Sequence, residues 1–195
     1  MEDYIKREDP SLAMTQKNRV GRDCHPAVMK LTKGEQMLLK PDFNLKNIYD
    51  IDLELLKSQG IRGIFFDLDS TIMVSKSGEY HEKTEQWLKK VEEDFFIAVI
   101  TNNKKPCYVE KVQSISTFQV IADAKKPSTK AIRKLLAKIK MEPKEVVIVG
   151  DRPLTDILAG KLLGSKTILV GSINADNEGV ATRLVRWLER RFILD

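Results

Sequence analysis

An α/β fold built on one parallel sheet is what the sequence predicts, and three observations predict it. Five short apolar runs recur along the chain and end near Asp67, Thr101, Asp123, Asp151 and Gly171. Helical patterns fill the gaps, at about 83–93, 107–115, 128–140, 153–163 and 178–192. Such alternation implies crossover connections, with helices on both faces of the sheet and three layers in all. The third observation is that chemistry-bearing residues follow the runs directly, and in open α/β sheets the site lies beyond the carboxyl ends of the strands.

Residues 1–36 come first and differ in kind. They are polar, mixed in charge and without sustained periodicity, so they are expected to form a flexible N-terminal extension to a domain spanning 37–195. The chain has two histidines, and His25-Pro26 reads as loop rather than ligand. The first strand, Ile61–Phe66, delivers Asp67-Leu68-Asp69-Ser70-Thr71. Residues i and i+2 of a strand share a face, so both carboxylates can point into one site. Burying them would carry a large desolvation cost unless a cation or substrate compensates. The chemical reading is a nucleophilic carboxylate beside an acid/base carboxylate, with a divalent metal between their charges. Two aspartates that merely close a strand into a turn remain the competing reading of this pentapeptide.

The second strand, Phe95–Ile100, ends in Thr101-Asn102-Asn103. A hydroxyl followed by backbone amides suits phosphoryl oxygens, although the same tripeptide is ordinary turn chemistry. Lys126-Pro127 lies just past the third run, Gln119–Ala122, where a lysine is more often a solvated surface charge. The fourth strand, Glu145–Gly150, leads to Asp151 and, five residues on, Asp156. That spacing offers oxygen ligands to a hard cation, or else makes Asp156 an acid on a helix face.

Taken together and in this order, the four segments resemble the motif set of the haloacid dehalogenase (HAD) superfamily, over Leu38 to about Phe192. Within it the chain is similar to the YqeG-type, phosphatidylglycerophosphate-phosphatase-like branch. The narrower likeness rests on Leu38-Leu39-Lys40-Pro41-Asp42, Ile48–Asp52, Thr155–Gly160, Thr167–Val170 and Thr182-Arg183. Three positions depart from the pattern. Ser70 stands where an asparagine is expected, Thr101 where serine is common, and Arg152 is unusual within the fourth motif.

The resemblance implies a HAD-like, Rossmann-type sheet and a Mg²⁺-dependent phosphomonoesterase that works through a phospho-aspartyl intermediate. It implies Asp67 as nucleophile and Asp69 as general acid and then base. Thr101, the amide of Asn102 and Lys126 bind the phosphoryl group, with Lys126 also keeping Asp67 ionised. The metal falls to Asp67, the carbonyl of Asp69 and Asp151, while Asp156 is an outer ligand or orients Lys126. Only about 30 residues separate Thr71 from Thr101 and about 25 separate Thr101 from Lys126. Neither interval holds a cap domain beyond a hairpin-like flap around Val74–Tyr80, and a capless site favours large or surface-bound substrates.

Composition agrees with such a protein. A chain of 195 residues, 42% hydrophobic and 31% charged, suits one buried domain. Cys24 and Cys107 form no metal-ligand spacing and suggest a reducing cytoplasm, and Cys107 reads as packed near a helix start. No stretch reaches the roughly 18 apolar residues of a transmembrane helix, and no signal-peptide core is evident. Thr101–Glu145 holds eleven Lys/Arg against four Asp/Glu, a net +7 that exceeds the +5 of the whole chain. That run is either a solvated helix face or a landing surface for an anionic bilayer or polyanion. The arginine-rich amphipathic tail Val180–Leu194 either docks on the sheet or lies in a membrane interface.

The substrate implied by the resemblance is phosphatidylglycerophosphate, an anionic phospholipid, handled by a cytoplasmic enzyme with peripheral contact at the inner face of the membrane. A soluble sugar phosphate, nucleotide or phosphoprotein is the rival substrate class. A vestigial nucleic-acid-binding protein is the rival of another kind. No stacking aromatics interleave with the basic run, so no nucleic-acid partner is expected.

Overall fold

The computed structural model describes residues 38–75 and 77–173. The expected N-terminal extension and the helix and tail beyond 178 lie outside them.

Strands rich in β-branched and aromatic residues form because both faces of a parallel sheet are covered. They are β1 (Phe43–Leu45), β2 (Gly63–Phe66), β3 (Phe96–Ile100), β4 (Gln119–Ile121), β5 (Val146–Gly150) and β6 (Lys166–Val170). The sheet order is β1-β6-β5-β2-β3-β4, with every pairing parallel. Alternate residues of the central strands face opposite layers. Ile64, Phe66, Val147 and Val149 join one apolar cluster, while Phe65, Val146 and Ile148 join the other. The first cluster is closed by α1 (Leu53–Ser58), α2 (Glu82–Glu92) and α3 (Pro106–Ile115) through Leu56, Leu88, Val91 and Val112. The second is closed by α4 (Lys130–Ile139) and α5 (Leu158–Leu163) through Ile132, Leu135, Leu136 and Leu163. This is the expected three-layer α/β arrangement.

Four expectations need correction. Six strands are present among the described residues, not five. The extra one, β1, is a three-residue edge strand whose alternately half-exposed pattern is too short to register as an apolar run. It is anchored through Asp42, whose carboxylate accepts the Thr167 backbone N–H at 2.8 Å and hydroxyl at 2.7 Å and pairs with Lys161 at 2.8 Å. Burial pushes this carboxyl up, but Lys161 and Thr167 more than offset it and hold its pKa below the ordinary value. The helix expected over 153–163 is divided: a π turn, Pro153–Ile157, precedes α5. Cys107 does stand at a helix start, but it is exposed rather than packed.

The expected flap is a run of turns rather than a hairpin, apart from an isolated bridge between Asp69 and Met73. No helix among the described residues is long and apolar enough to cross a membrane.

Candidate active site

Sheet register assembles the site. Phe66 pairs with Val99 on one side and Val149 on the other, so the residues that follow these three strands emerge together at one edge. The Asp67 N–H still donates to the Val149 carbonyl at 2.8 Å, and Thr101 N–H donates to Ile121 at 2.9 Å. The carboxyl ends of β2, β3 and β5 therefore deliver Asp67, Thr101 and Asp151 side by side.

Lys126 is at the centre of the group. Its Nζ lies 2.6 Å from Asp67 Oδ1 and 2.6 Å from Asp156 Oδ1. Only 2% of the Lys126 side chain and 1% of Asp156 reach solvent, against 14% of Asp67. Of the three, Asp67 is the most open to an incoming substrate. Burial drives Lys126 toward the neutral form, but Asp156 and then Asp67 overcome this, so its pKa is raised. Burial pushes the Asp67 carboxyl up, Lys126 opposes, and Asp156 and Asp69 add to the rise; the outcome is about 6.

The backbone around Lys126 is specified as closely as its side chain. Asp123 and Lys125 have φ of 47° and 56°, in the left-handed region that non-glycine residues rarely occupy. The Asn102 side chain accepts the Lys126 N–H at 2.6 Å and donates to its carbonyl at 3.0 Å. Sequence reasoning gave Asn102 a role only through its backbone amide, whereas its carboxamide also clamps the lysine. Thr101 is buried, and its Oγ1 accepts the Asn103 N–H at 3.0 Å, closing the loop that would face a phosphoryl group.

Asp151 and Asp156 are both buried. Thr71 donates to Asp151 Oδ1 at 3.3 Å, and Arg152 N–H donates to Asp156 Oδ2 at 3.1 Å. Asp69 stands slightly apart. Tyr108 donates to its Oδ1 at 2.8 Å, and Asn103 Nδ2 approaches its Oδ2 at 3.4 Å. Ser70 between these segments has φ of 70°, where the asparagine expected from the motif would be more at ease. All seven predicted site residues thus line one end of the sheet.

Thr71, Tyr108 and Gly150 were missed as contributors. A Cβ on Gly150 would lie 2.3 Å from Asp156 Cγ, so the absence of a side chain there makes room for the carboxylate. The Gly-Asp dipeptide at the strand end was the available signal for Gly150. Nothing in the sequence marked Tyr108.

Asp67, Asp151 and Asp156 offer one oxygen each within 4.8 Å of one another. Three carboxylates against one ammonium leave an excess of negative charge, and the donors are all hard oxygens. This set fits a small divalent cation such as Mg²⁺ better than a soft metal.

A family model described as mitochondrial PGP phosphatase matches residues 23–173. The chain belongs to this phosphatase family. It is 31% identical over 153 residues to the probable phosphatase YqeG of Bacillus subtilis (strain 168), covering 78% of this chain and 88% of that protein. It is also 26% identical over 172 residues to phosphatidylglycerophosphate phosphatase 1, chloroplastic/mitochondrial, of Arabidopsis thaliana, covering 84% of this chain and 49% of that one. Among solved structures, a HAD phosphatase from Thermococcus onnurineus shares 15% identity and a TM-score of 0.48, over 61% of this chain and 89% of that one. The protein is a phosphatase, a phosphoric monoester hydrolase.

Proposed function

We propose that the protein hydrolyses the phosphomonoester of phosphatidylglycerophosphate to phosphatidylglycerol, with Mg²⁺ as cofactor and Asp67 as nucleophile. The observation that carries the chemistry is the Lys126 ammonium, 2.6 Å from both Asp67 and Asp156 at the one solvent-reaching carboxylate of the cluster. A buried cation so placed favours the ionised, nucleophilic form of Asp67 against the desolvation that opposes it.

A carboxylate oxygen of Asp67 attacks phosphorus, and the bond from phosphorus to the leaving oxygen breaks. Asp69, entering as the acid, gives its proton to that oxygen. Asp69, now the carboxylate, takes a proton from water, whose oxygen attacks the phospho-aspartyl group. Inorganic phosphate leaves and Asp67 is restored. Thr101 Oγ1, the Asn102 N–H and Lys126 bear the charge on the phosphoryl oxygens during both steps. Asp67, Asp151 and the Asp69 carbonyl would hold Mg²⁺, which when bound neutralises charge so that a carboxylate and a phosphate can approach. Asp156, with Lys126 on one oxygen and Arg152 N–H on the other, acts by orienting the lysine.

The lipid substrate is supported by the family match and by the name of the plant relative. It is supported too by the interval between β2 and α2, whose described residues form turns and an isolated bridge rather than a cap domain.

Phosphate release from phosphatidylglycerophosphate and from a panel of soluble phosphomonoesters, with Mg²⁺ or chelator, tests the proposal. The lipid should be the best substrate, chelator should abolish turnover, and Asp67→Asn should be inactive with an unchanged melting temperature or a higher one. Full activity in chelator, or in Asp67→Asn, would overturn the chemistry. Better turnover of a sugar phosphate or nucleotide would overturn the substrate alone.

A further inference from the structure

Tyr108 belongs to none of the four motifs, yet its hydroxyl donates to the Asp69 carboxylate at 2.8 Å, across 39 positions of sequence. Its place is set by α3: Lys105 caps the helix, Pro106 opens it, and Tyr108 falls in the first turn, facing back toward the loop after β2. The half-buried ring packs against the apolar cluster beneath. The hydroxyl lies 2.8 Å from Asp69 Oδ1 and 3.5 Å from the sulfur of Met73, the residue that bridges to Asp69 through the backbone.

A second group acts from the same side. Asn103 Oδ1 accepts the Lys105 N–H at 3.1 Å, which turns Nδ2 toward Asp69 Oδ2, 3.4 Å away. The loop and first turn of one helix therefore address both oxygens of one carboxylate.

We propose that Tyr108 is the positioning residue for the acid/base carboxylate of Asp69. This rests on the role given to Asp69 above. The Tyr108 O–H donates to Oδ1, so in the acid form Oδ2 carries the proton, and the hydroxyl fixes the rotation that aims it. A carboxyl group proximal to a strand end but able to rotate would spend much of its time aimed away from the leaving oxygen. Proton transfer depends on hydrogen-bond reach to the reacting atom, so a small rotation lowers the rate without weakening binding.

Tyr108→Phe removes one oxygen and keeps the ring in its packing. It should be assayed beside Asp69→Asn on two substrates, an alkyl phosphomonoester and 4-nitrophenyl phosphate, with melting temperatures recorded. The nitrophenolate leaves without needing a proton, whereas the alkoxide does not. Tyr108→Phe should lower kcat/KM, which reports the ester-cleaving half-reaction and not the later hydrolysis that Asp69 serves as base, about tenfold or more on the alkyl ester, and should change it little on the nitrophenyl ester. Asp69→Asn should show the same selectivity more strongly. Equal losses on both substrates in Tyr108→Phe, or none on either, would overturn the proposal while the role of Asp69 stood. If Asp69→Asn itself showed no selectivity between leaving groups, the acid role would fall and the proposal with it.

Discussion

Asp67 must be ionised to attack phosphorus, yet its surroundings drive it toward the acid. Burial sets that tendency, Asp156 and Asp69 reinforce it, and Lys126 offsets it only in part, leaving a pKa of about 6 in the metal-free protein. The stability sign follows directly. A raised carboxyl pKa stabilises the fold fully below the ordinary value of 3.8, and that contribution is lost as pH rises through about 6. The cation has the opposite preference, because it takes only the carboxylate. At pH 5 about nine-tenths of Asp67 is protonated, so binding Mg²⁺ should release close to one proton; at pH 8 it should release almost none. Titration calorimetry with Mg²⁺, in two buffers of different ionisation enthalpy at each pH, measures the released proton. An identical buffer dependence at pH 5 and pH 8 would remove Asp67 from the metal site.

At the scale of elements, the contact between β5 and the π turn is where packing and chemistry meet. Gly150 belongs to the strand and Asp156 to the turn, and a Cβ at position 150 would fall 2.3 Å from Asp156 Cγ. Gly160 in α5 meets a similar obstacle, 2.4 Å from Thr167 Cγ2, but in the core below the site. Each Gly→Ala change should lower stability by about 1–3 kcal/mol, the usual range for overpacking. Only Gly150→Ala should also displace Asp156 from Lys126 and cut kcat, by about tenfold or more. Urea midpoints and kinetics on the two variants separate these effects. Equal kinetic losses would show that Gly150 acts through general stability rather than through Asp156.

The same contact explains what was legible in the sequence. Asp67, Thr101, Lys126 and Asp151 could be found because each follows an apolar strand, and parallel register then brings strand ends together without further information. β1 was hidden because three half-exposed residues carry no period, and its hold on the sheet comes from Asp42 reaching Thr167, 125 positions away. Tyr108 was hidden for the same reason. A tyrosine in the first turn of a helix is ordinary, and only the fold reveals that its hydroxyl lands on Asp69. The π turn escaped notice because periodicity over 153–163 cannot distinguish one extra residue in a turn from continuous helix.

At the scale of the whole molecule, the open sheet end and the charge distribution bear on where the enzyme meets its substrate. Lys126 leads directly into α4, which carries Lys130, Arg133, Lys134 and Lys138 on its exposed face while Ile132, Leu135 and Leu136 enter the core. Leu154 in the π turn and Leu162 in α5 are exposed at 43% and 49%, and Arg133 donates to the Leu162 carbonyl at 3.3 Å. Basic and apolar groups thus share the layer that holds α4 and α5. Each basic residue near an anionic bilayer contributes about 1 kcal/mol, an attraction screened beyond roughly 8–10 Å at physiological salt. Vesicles containing phosphatidylglycerol should bind the protein at low salt, release it as salt rises, and exceed neutral vesicles throughout. Neutralising Lys130, Arg133 and Lys134 together to Gln should weaken sedimentation with anionic vesicles about tenfold or more, since three such contributions are lost. Turnover of a short soluble phosphomonoester should stay as in the wild type, because none of the three lines the site. Binding that ignores lipid charge and salt would rule out an electrostatic landing surface, and a soluble-substrate loss in the triple variant would place these residues in catalysis instead.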